Sequence, residues 1–158
     1  MLKRCIFGLT NTHNKIFDTA VCDNVSSAMD IFQNYLVNVE PLAFLDDITT
    51  KNVLIHCGKL AGIVDVDEIC YGDSLLTIGL TNMSLLAMKT DTKYIDFWLD
   101  ELNITPIQRK VVMLYTLVYC IDFMGEQGMK FDNGKVIPAN QETIALLKSI
   151  YHDLIHNF

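Results

Sequence analysis

The chain has 158 residues, the size of one domain or of one lobe of a larger domain, and 51% of them are hydrophobic, which is enough to build a buried core. Its formal net charge of −7 and the lack of a basic stripe argue against a nucleic-acid partner. The longest apolar stretch, Val111 to Val118, is too short to cross a bilayer, so no membrane is expected. The first residues contain no apolar run typical of a signal peptide.

The cysteine pattern indicates a reducing compartment. No CxxC pair occurs, and the histidines do not flank the cysteines at zinc-finger spacing. We therefore expect free, mostly buried thiols and a cytoplasmic protein. The cysteines are Cys5, Cys22, Cys57, Cys70 and Cys120.

The first predicted element is a helix. The first 25 residues have weak periodicity, and Ser26 or Ser27 is then predicted to cap a helix from Ala28 to about Val39, where apolar residues follow helical spacing. Pro41 ends this helix, because proline disfavours the helical conformation of the residue before it.

A β-hairpin is predicted next. Two β-rich runs, NVLIHC from Asn52 to Cys57 and LAGIVDV from Leu60 to Val66, are separated by Gly58 and Lys59 alone. A two-residue link that contains glycine is typical of a tight hairpin turn.

The remaining chain is predicted to be helical. Apolar periodicity favours helices from Leu75 to Met88, from Thr92 to Leu102, from Thr105 to about Glu126, and after Asn140. Thr105 followed by proline and Asn140 both suit helix starts. The helical positions of four large side chains predict that they belong to the core: Met83, Met88, Tyr115 and Tyr119. The order of elements indicates an α+β fold, mostly helical with one small hairpin.

A candidate site lies around the hairpin. Asp47 lies in the loop before it, Asn52 at its first strand and Asp65 at the end of its second strand. A hairpin brings its outer ends together, so Asn52 and Asp65 are expected to be neighbours, with Asp47 folded over them. An amide and a carboxylate suit Mg2+, which takes few protein ligands in addition to phosphates and water. A further carboxylate nearby can orient a hydroxyl for attack on a phosphoryl group.

These residues resemble a known family. DDITTKNVLI followed by GIVDVDEICYGDSL is similar to the catalytic loop, metal hairpin and following segment of the aminoglycoside phosphotransferase family, within the protein-kinase-like and choline-kinase-like folds. In a family pattern like HGDxxxxN, the aspartate positions the acceptor hydroxyl. By position, the resemblance implies that Asp47 is the catalytic residue and that Asn52 and Asp65 bind Mg2+ on the phosphates of ATP or GTP. No residue is assigned to the nucleotide itself.

The resemblance also implies a substrate and an arrangement of the chain. The expected acceptor is a small molecule with hydroxyl and amino groups. Residues 1–40 would form an N-terminal segment and helix, residues 41–73 the catalytic loop and metal hairpin, and residues 74–158 the helical region of a single C-terminal lobe. Residues 1–40 are expected to contain no counterpart of the family's N-terminal lobe, with its phosphate-covering loop and lysine.

Four positions depart from the family pattern. Leu45 and Asp46 occupy the positions of its histidine and glycine, Ser74 replaces a proline, and Thr77 occupies the position of an aspartate.

Two nearby features have alternative interpretations. Lys51 is either a phosphate contact or an exposed lysine, and Asp67 with Glu68 either extends a cationic substrate site or forms a solvated turn.

Other interpretations of the whole chain remain. Without a nucleotide lobe, the chain is either part of a complete kinase or a non-catalytic lobe that binds a partner; a small helical domain with an incidental hairpin is a third interpretation. A lone lobe is expected to expose an apolar patch near the hairpin, where a partner chain or lobe would pack. The residues that could cover this patch instead are Ile6, Phe7, Ile16 and Phe17.

Overall fold

The computed structural model describes residues 17–18, 20–67, 69–130, 134 and 136–158. A one-turn 3-10 helix, Thr50–Asn52, precedes the second strand. The predicted α+β fold class is confirmed. In chain order the other elements are α1 (Ala20–Ile31), α2 (Gln33–Asn38), β1 (Leu42–Leu45), β2 (Val53–His56), β3 (Lys59–Ile63), β4 (Ile69–Gly72), α3 (Leu75–Ala87), α4 (Lys93–Glu101), α5 (Pro106–Gly125) and α6 (Gln141–Ile155).

The first helix begins earlier than predicted. The Asp18 carboxylate accepts a hydrogen bond from Ala20 N at 2.9 Å, which satisfies a backbone donor at the start of α1. The predicted capping role of Ser26 or Ser27 is wrong, because both residues lie inside α1. Ser27 Oγ instead donates to Asp23 O one turn earlier, at 3.0 Å.

The helical core is centred on α5. Thr105 and Gln108 form a capping box at its start, and the Asn140 side chain accepts from Glu142 N at 2.8 Å at the start of α6, so both predicted helix starts are confirmed. Of the four predicted core side chains, Met83, Tyr115 and Tyr119 are buried. Met88 is 63% exposed, contrary to the prediction, because it follows the last residue of α3.

The predicted hairpin is present, with its turn one residue earlier. Strands β2 and β3 pair in antiparallel orientation, and Cys57 and Gly58 both have positive φ, at 50° and 72°. Two consecutive positive φ angles are typical of the type I′ turns that connect strands closely. Of the four described cysteines, all free, Cys120 is buried, Cys22 and Cys70 are partly buried and Cys57 is exposed, so the expectation of mostly buried thiols is wrong.

A second strand pair was not predicted. Strands β1 and β4 are antiparallel, with Leu42 opposite Gly72 and Leu45 opposite Ile69. Along the chain, the loop and the β2–β3 hairpin lie between β1 and β4. The β1–β4 pair therefore fixes where residues 46–68 leave and rejoin the helical part of the chain.

The four strands expose many apolar side chains. We call them the strand surface: Leu42, Leu54, Ile55, Leu60, Ile63, Ile69 and Tyr71, which are between 39% and 80% exposed. Apolar side chains on both strands of the hairpin are therefore exposed, and their role as a packing surface for a partner chain or lobe stays a prediction. Phe17 packs against the helical core, with Lys148 Nζ 5.7 Å from its ring centroid, while Ile6, Phe7 and Ile16 lie outside the described residues.

No described helix combines the length and the apolar character needed to span a membrane.

Candidate functional site

Asp47 lies in the loop between β1 and β2 and is held by two donors. Thr49 Oγ1 donates to Asp47 Oδ1 at 2.8 Å, and Lys51 Nζ lies 2.8 Å from Asp47 Oδ2. Partial burial opposes ionisation of Asp47, but the bonds from Lys51 and Thr49 outweigh it, so its pKa is below the ordinary value. The carboxylate is therefore ionised at neutral pH and fixed in orientation.

Asn52 lies at the end of the same loop and is buried. Its Nδ2 donates to the backbone carbonyl oxygen of Asp47 at 2.8 Å, which fixes the direction of the amide. None of the hydrogen bonds found among the described residues uses Asn52 Oδ1. That oxygen is the chemically suitable metal ligand of the side chain.

Asp65 follows β3 on the opposite side of the hairpin. Val64 N donates to Asn52 O at 2.9 Å, so the strand pairing continues up to the residue before Asp65. Asp65 has φ 61°, which is a left-handed conformation, so the extended conformation of the strand ends at this residue. The structure thus brings Asp65 to the same end of the hairpin as Asn52.

Lys51 forms an ion pair with Asp47. Its pKa is raised first by the hydrogen bond with Asp47, in spite of partial desolvation, and then by the charges of Asp47 and Asp65. Both carboxylates therefore act on one ammonium group. The structure brings Asp47 and Asn52 into contact, and the assignment of Asp47, Asn52 and Asp65 to one functional site stays a prediction.

The donor chemistry of Asn52 and Asp65 fits magnesium. No group of three histidine, cysteine or acidic side chains capable of holding a metal occurs in the part of the chain that the structure describes. The described residues therefore contain no metal site built from three or more such side chains. Magnesium commonly takes one or two carboxylates and completes its shell with water and phosphate oxygens, which an amide and a carboxylate would allow.

The loop is attached to the helical core through Asp46. Thr77 Oγ1 on α3 donates to Asp46 O at 3.0 Å, and Tyr119 OH on α5 lies 3.5 Å from Asp46 Oδ1. Thr77 thus supplies a donor at a position where the resembled family has an aspartate. Thr77 therefore provides a polar contact between α3 and the loop.

The sequence did not predict a buried cluster around Asp73. Asp73 is 7% exposed; its Oδ2 accepts from Tyr35 OH and Tyr115 OH, each at 2.9 Å, and its Oδ1 accepts from Leu75 N at 3.0 Å. Burial first, and then the bond and charge of Asp73, raise the pKa of Tyr35 to about 12. The cluster connects α2, α3 and α5 directly after β4. The only sequence signal for it was the Gly72-Asp73 pair.

Comparison with known proteins supports the fold. No protein-family model matches the chain, and no curated protein matches it. Among solved structures, the chain is similar to a thermostable mutant of aminoglycoside phosphotransferase APH(4)-Ia in a ternary complex with AMP-PNP and hygromycin B, with a TM-score of 0.55 and 18% sequence identity. The match covers 96% of this chain and 50% of that chain, so this chain spans about half the length of the kinase it resembles. The described residues have a kinase-like fold, consistent with its C-terminal lobe.

Proposed function

We propose that the chain forms the single C-terminal lobe of a small-molecule kinase. The complete enzyme would transfer the γ-phosphate of ATP or GTP to a substrate hydroxyl with Mg2+. The observation that carries this proposal is the grouping of Asp47, Asn52 and Asp65 around one loop and one hairpin end, within a kinase-like fold. Fold likeness alone would not support an activity, because one fold serves many functions.

Each residue has a distinct proposed role. Asp47, fixed by Thr49, orients the acceptor hydroxyl and accepts its proton. Asn52 Oδ1 and the Asp65 carboxylate would hold Mg2+, which would neutralise charge on the nucleotide phosphates. Positioning supplies most of the catalysis in phosphoryl transfer, so the contacts that fix the loop are part of the proposed machinery.

The proposed acceptor is a small molecule with hydroxyl and amino groups. Asp65 and Asp67 are exposed beside the proposed phosphoryl site, and the chain carries a net charge of −7. Negative charge near a cleft favours cationic ligands. The similar kinase binds hygromycin B, and we extend only the chemical class, an amino-bearing hydroxyl compound, to this chain.

We further propose that a nucleotide-binding lobe, supplied by the same polypeptide or by a partner chain, packs on the strand surface. Ile55 and Leu60 are 62% and 64% exposed there, and they are opposite each other in the β2–β3 pair. Exposed apolar clusters of this kind are typical of surfaces that bind other proteins or domains. If the chain acts without that lobe, it is a non-catalytic binding module, and the strand surface favours this alternative equally.

Calorimetric titration of the chain with Mg2+ and AMP-PNP tests the proposal. We expect binding heat from the natural chain and from Asp67→Ala, and loss of that heat in Asp65→Ala. Asp67 is the matched control because it is also an exposed aspartate after β3.

Two results would contradict parts of the proposal. Heat that persists in Asp65→Ala would refute the metal role of Asp65. The absence of heat from every variant, including the natural chain, would favour the non-catalytic binding module.

A further inference from the structure

A cavity of about 310 Å3 lies between four helices of the described chain, α3, α4, α5 and α6. This volume is at the lower end of the range that is usual for small-molecule sites. The apolar side chains that form most of its walls are Leu86, Ile95, Leu99, Val112, Ile150 and Leu154. The cavity therefore has room for a small ligand with an apolar body.

The cavity lies beyond the helical residues that contact the loop between β1 and β2. Thr77 and Tyr119 contact Asp46 of that loop. The cavity is lined instead by Asn82 and Met113. They lie five residues after Thr77 on α3 and six residues before Tyr119 on α5, offsets of about 8 and 9 Å along the helices. A ligand in this cavity would therefore not depend on the proposed kinase function.

Asn82 presents a buried amide to the cavity. The residue is 6% exposed, and its Nδ2 donates to Thr116 Oγ1 at 3.1 Å. Thr116 Oγ1 in turn donates to Val112 O at 2.9 Å, so this hydroxyl must accept from Asn82, which fixes the direction of the amide.

The oxygen of this amide is available to a ligand. None of the hydrogen bonds found among the described residues uses Asn82 Oδ1. No fully buried polar side-chain atom of these residues lacks a hydrogen bond, so Asn82 Oδ1 is not fully enclosed by protein. Because Asn82 lines the cavity, we expect this oxygen to accept a hydrogen bond from a ligand there.

Two carboxylates line the cavity together with this amide. Asp96 on α4 and Asp153 on α6 are exposed, and neither forms an ion pair with a described residue. The described lining contains no lysine, arginine or histidine. An apolar volume bordered by acceptors and negative charge favours a ligand that brings donors and positive charge.

We propose that this cavity binds a small organic cation, a primary ammonium group on an apolar body. The ammonium group donates to Asn82 Oδ1, and the carboxylates of Asp96 and Asp153 balance its charge. An ammonium group suits this lining because it has three donors and no acceptor. The apolar body displaces water from the walls, which contributes affinity without direction, while the buried amide selects for a donor.

NMR titration of the isotope-labelled chain with phenethylammonium, and with phenethyl alcohol as its neutral analogue, tests this inference. The two compounds share their apolar body and nearly their size, so a difference in affinity reports the charge and the additional donors. We expect the ammonium compound to bind about tenfold more tightly, as a charge-assisted hydrogen bond predicts. The backbone signals that shift should be centred on the residues that line the cavity.

Substitutions separate the cavity from the general charge of the chain. Asp96→Asn combined with Asp153→Asn should weaken phenethylammonium binding about fivefold and leave the alcohol within about twofold. Asp30→Asn combined with Asp67→Asn removes the same charge at exposed positions outside the cavity, and this control should change neither affinity more than about twofold. Asn82→Leu should weaken binding about tenfold. If that variant does not fold, the exposed aspartates still decide.

Four results would overturn the inference. They are equal affinities for the two compounds, equal losses in the cavity and control double variants, no binding by the natural chain, and signal shifts centred on residues 46–65. The last result would assign the cation to the proposed acceptor site instead. The nucleotide titration with Asp65→Ala remains a separate test of the kinase function.

Discussion

At the scale of single residues, Asp73 is a buried acidic residue that accepts three hydrogen bonds. Tyr35, Tyr115 and Leu75 N all donate to its carboxylate, and no cation is among these partners. Three donors satisfy the hydrogen-bonding capacity of this buried side chain without an ion pair. The carboxylate therefore joins three helices through neutral groups.

Replacement of Asp73 by asparagine tests this role. Asp73→Asn removes the charge and places a donor among hydroxyl donors, so we expect the free energy of unfolding to fall by about 1–3 kcal/mol. Urea denaturation followed by circular dichroism measures it. Asp67→Asn, the same change at an exposed position, should stay within about 0.5 kcal/mol. Equal effects of the two substitutions would contradict the structural role of Asp73.

Tyr35 predicts a loss of stability at alkaline pH. Its pKa is about 12 in the folded chain and about 10 when unfolded, so the folded state holds the phenol proton more tightly. The stabilisation that the raised pKa of Tyr35 gives the folded state is complete below pH 10 and decreases as the pH rises from about 10 to 12. The same direction applies to Tyr115, whose pKa is also raised by burial and by Asp73.

Denaturation at pH 8, 10 and 11 measures this decrease. We expect a smaller decrease in Tyr35→Phe than in the natural chain, with part of it retained because of Tyr115. Tyr71→Phe is the control, since Tyr71 is 80% exposed and its substitution should leave the pH profile of stability unchanged. Indistinguishable pH profiles for the natural chain and Tyr35→Phe would be evidence against the prediction.

Residue types and local spacing predicted that Asp47 and Asn52 lie close together, but they did not predict the hydrogen-bonded cluster around Asp73. Asp47 and Asn52 are separated by five positions, within one loop, and their proximity could be expected from the sequence. The partners of Asp73 are 38 and 42 positions away, on Tyr35 and Tyr115. Such contacts depend on how helices pack, which the local pattern of one segment does not contain.

At the scale of elements, the contact between α3 and α5 depends on Gly79. A Cβ atom at this position would lie 2.6 Å from Tyr115 Cβ and 3.1 Å from Thr116 N. Backbone atoms of α5 cannot move aside as the end of a flexible side chain can. The absence of a side chain at Gly79 is therefore what allows the two helices to approach so closely.

We expect Gly79→Ala to destabilise the protein by about 1–3 kcal/mol, since overpacking outweighs the gain of about 1 kcal/mol in helix propensity. Thermal and urea denaturation measure the loss. Gly62→Ala is the matched control, because a Cβ there meets nothing within 4 Å and its change should be small. A stabilised Gly79→Ala protein would mean that the helices can separate without cost.

The elements with strong local signals were predicted and the others were not. β-branched residues and a glycine predicted the β2–β3 hairpin, and Thr105-Pro106 predicted the start of α5. The pair of β1 and β4 joins two four-residue strands far apart in the sequence, so neither has enough local periodicity. The start of α1 was missed because its cap, Asp18, precedes a segment of weak periodicity.

At the scale of the whole molecule, the strand surface should dominate association. We expect Ile55→Thr combined with Leu60→Thr to reduce the fluorescence of a bound hydrophobic dye and the tendency to self-associate in sedimentation. The free energy of unfolding should change by less than about 0.5 kcal/mol, because both side chains are more than half exposed and threonine suits strands.

A distant exposed aromatic residue provides the control for this pair. Phe97 on α4 is 71% exposed, and Phe97→Thr should change dye binding less than the strand variant does. Equal reductions would indicate that exposed apolar area in general, and not the strand surface, governs association.

The loop that carries Asp47 is held in place by other described residues of the chain. Thr77 holds the carbonyl oxygen of residue 46 and Asn52 holds that of residue 47, at 3.0 and 2.8 Å. Fixing a residue's backbone costs about 1–2 kcal/mol in conformational entropy, and here folding meets that cost before any ligand arrives. A ligand therefore encounters a preorganised surface, and little of its binding free energy is spent on freezing the chain beneath it.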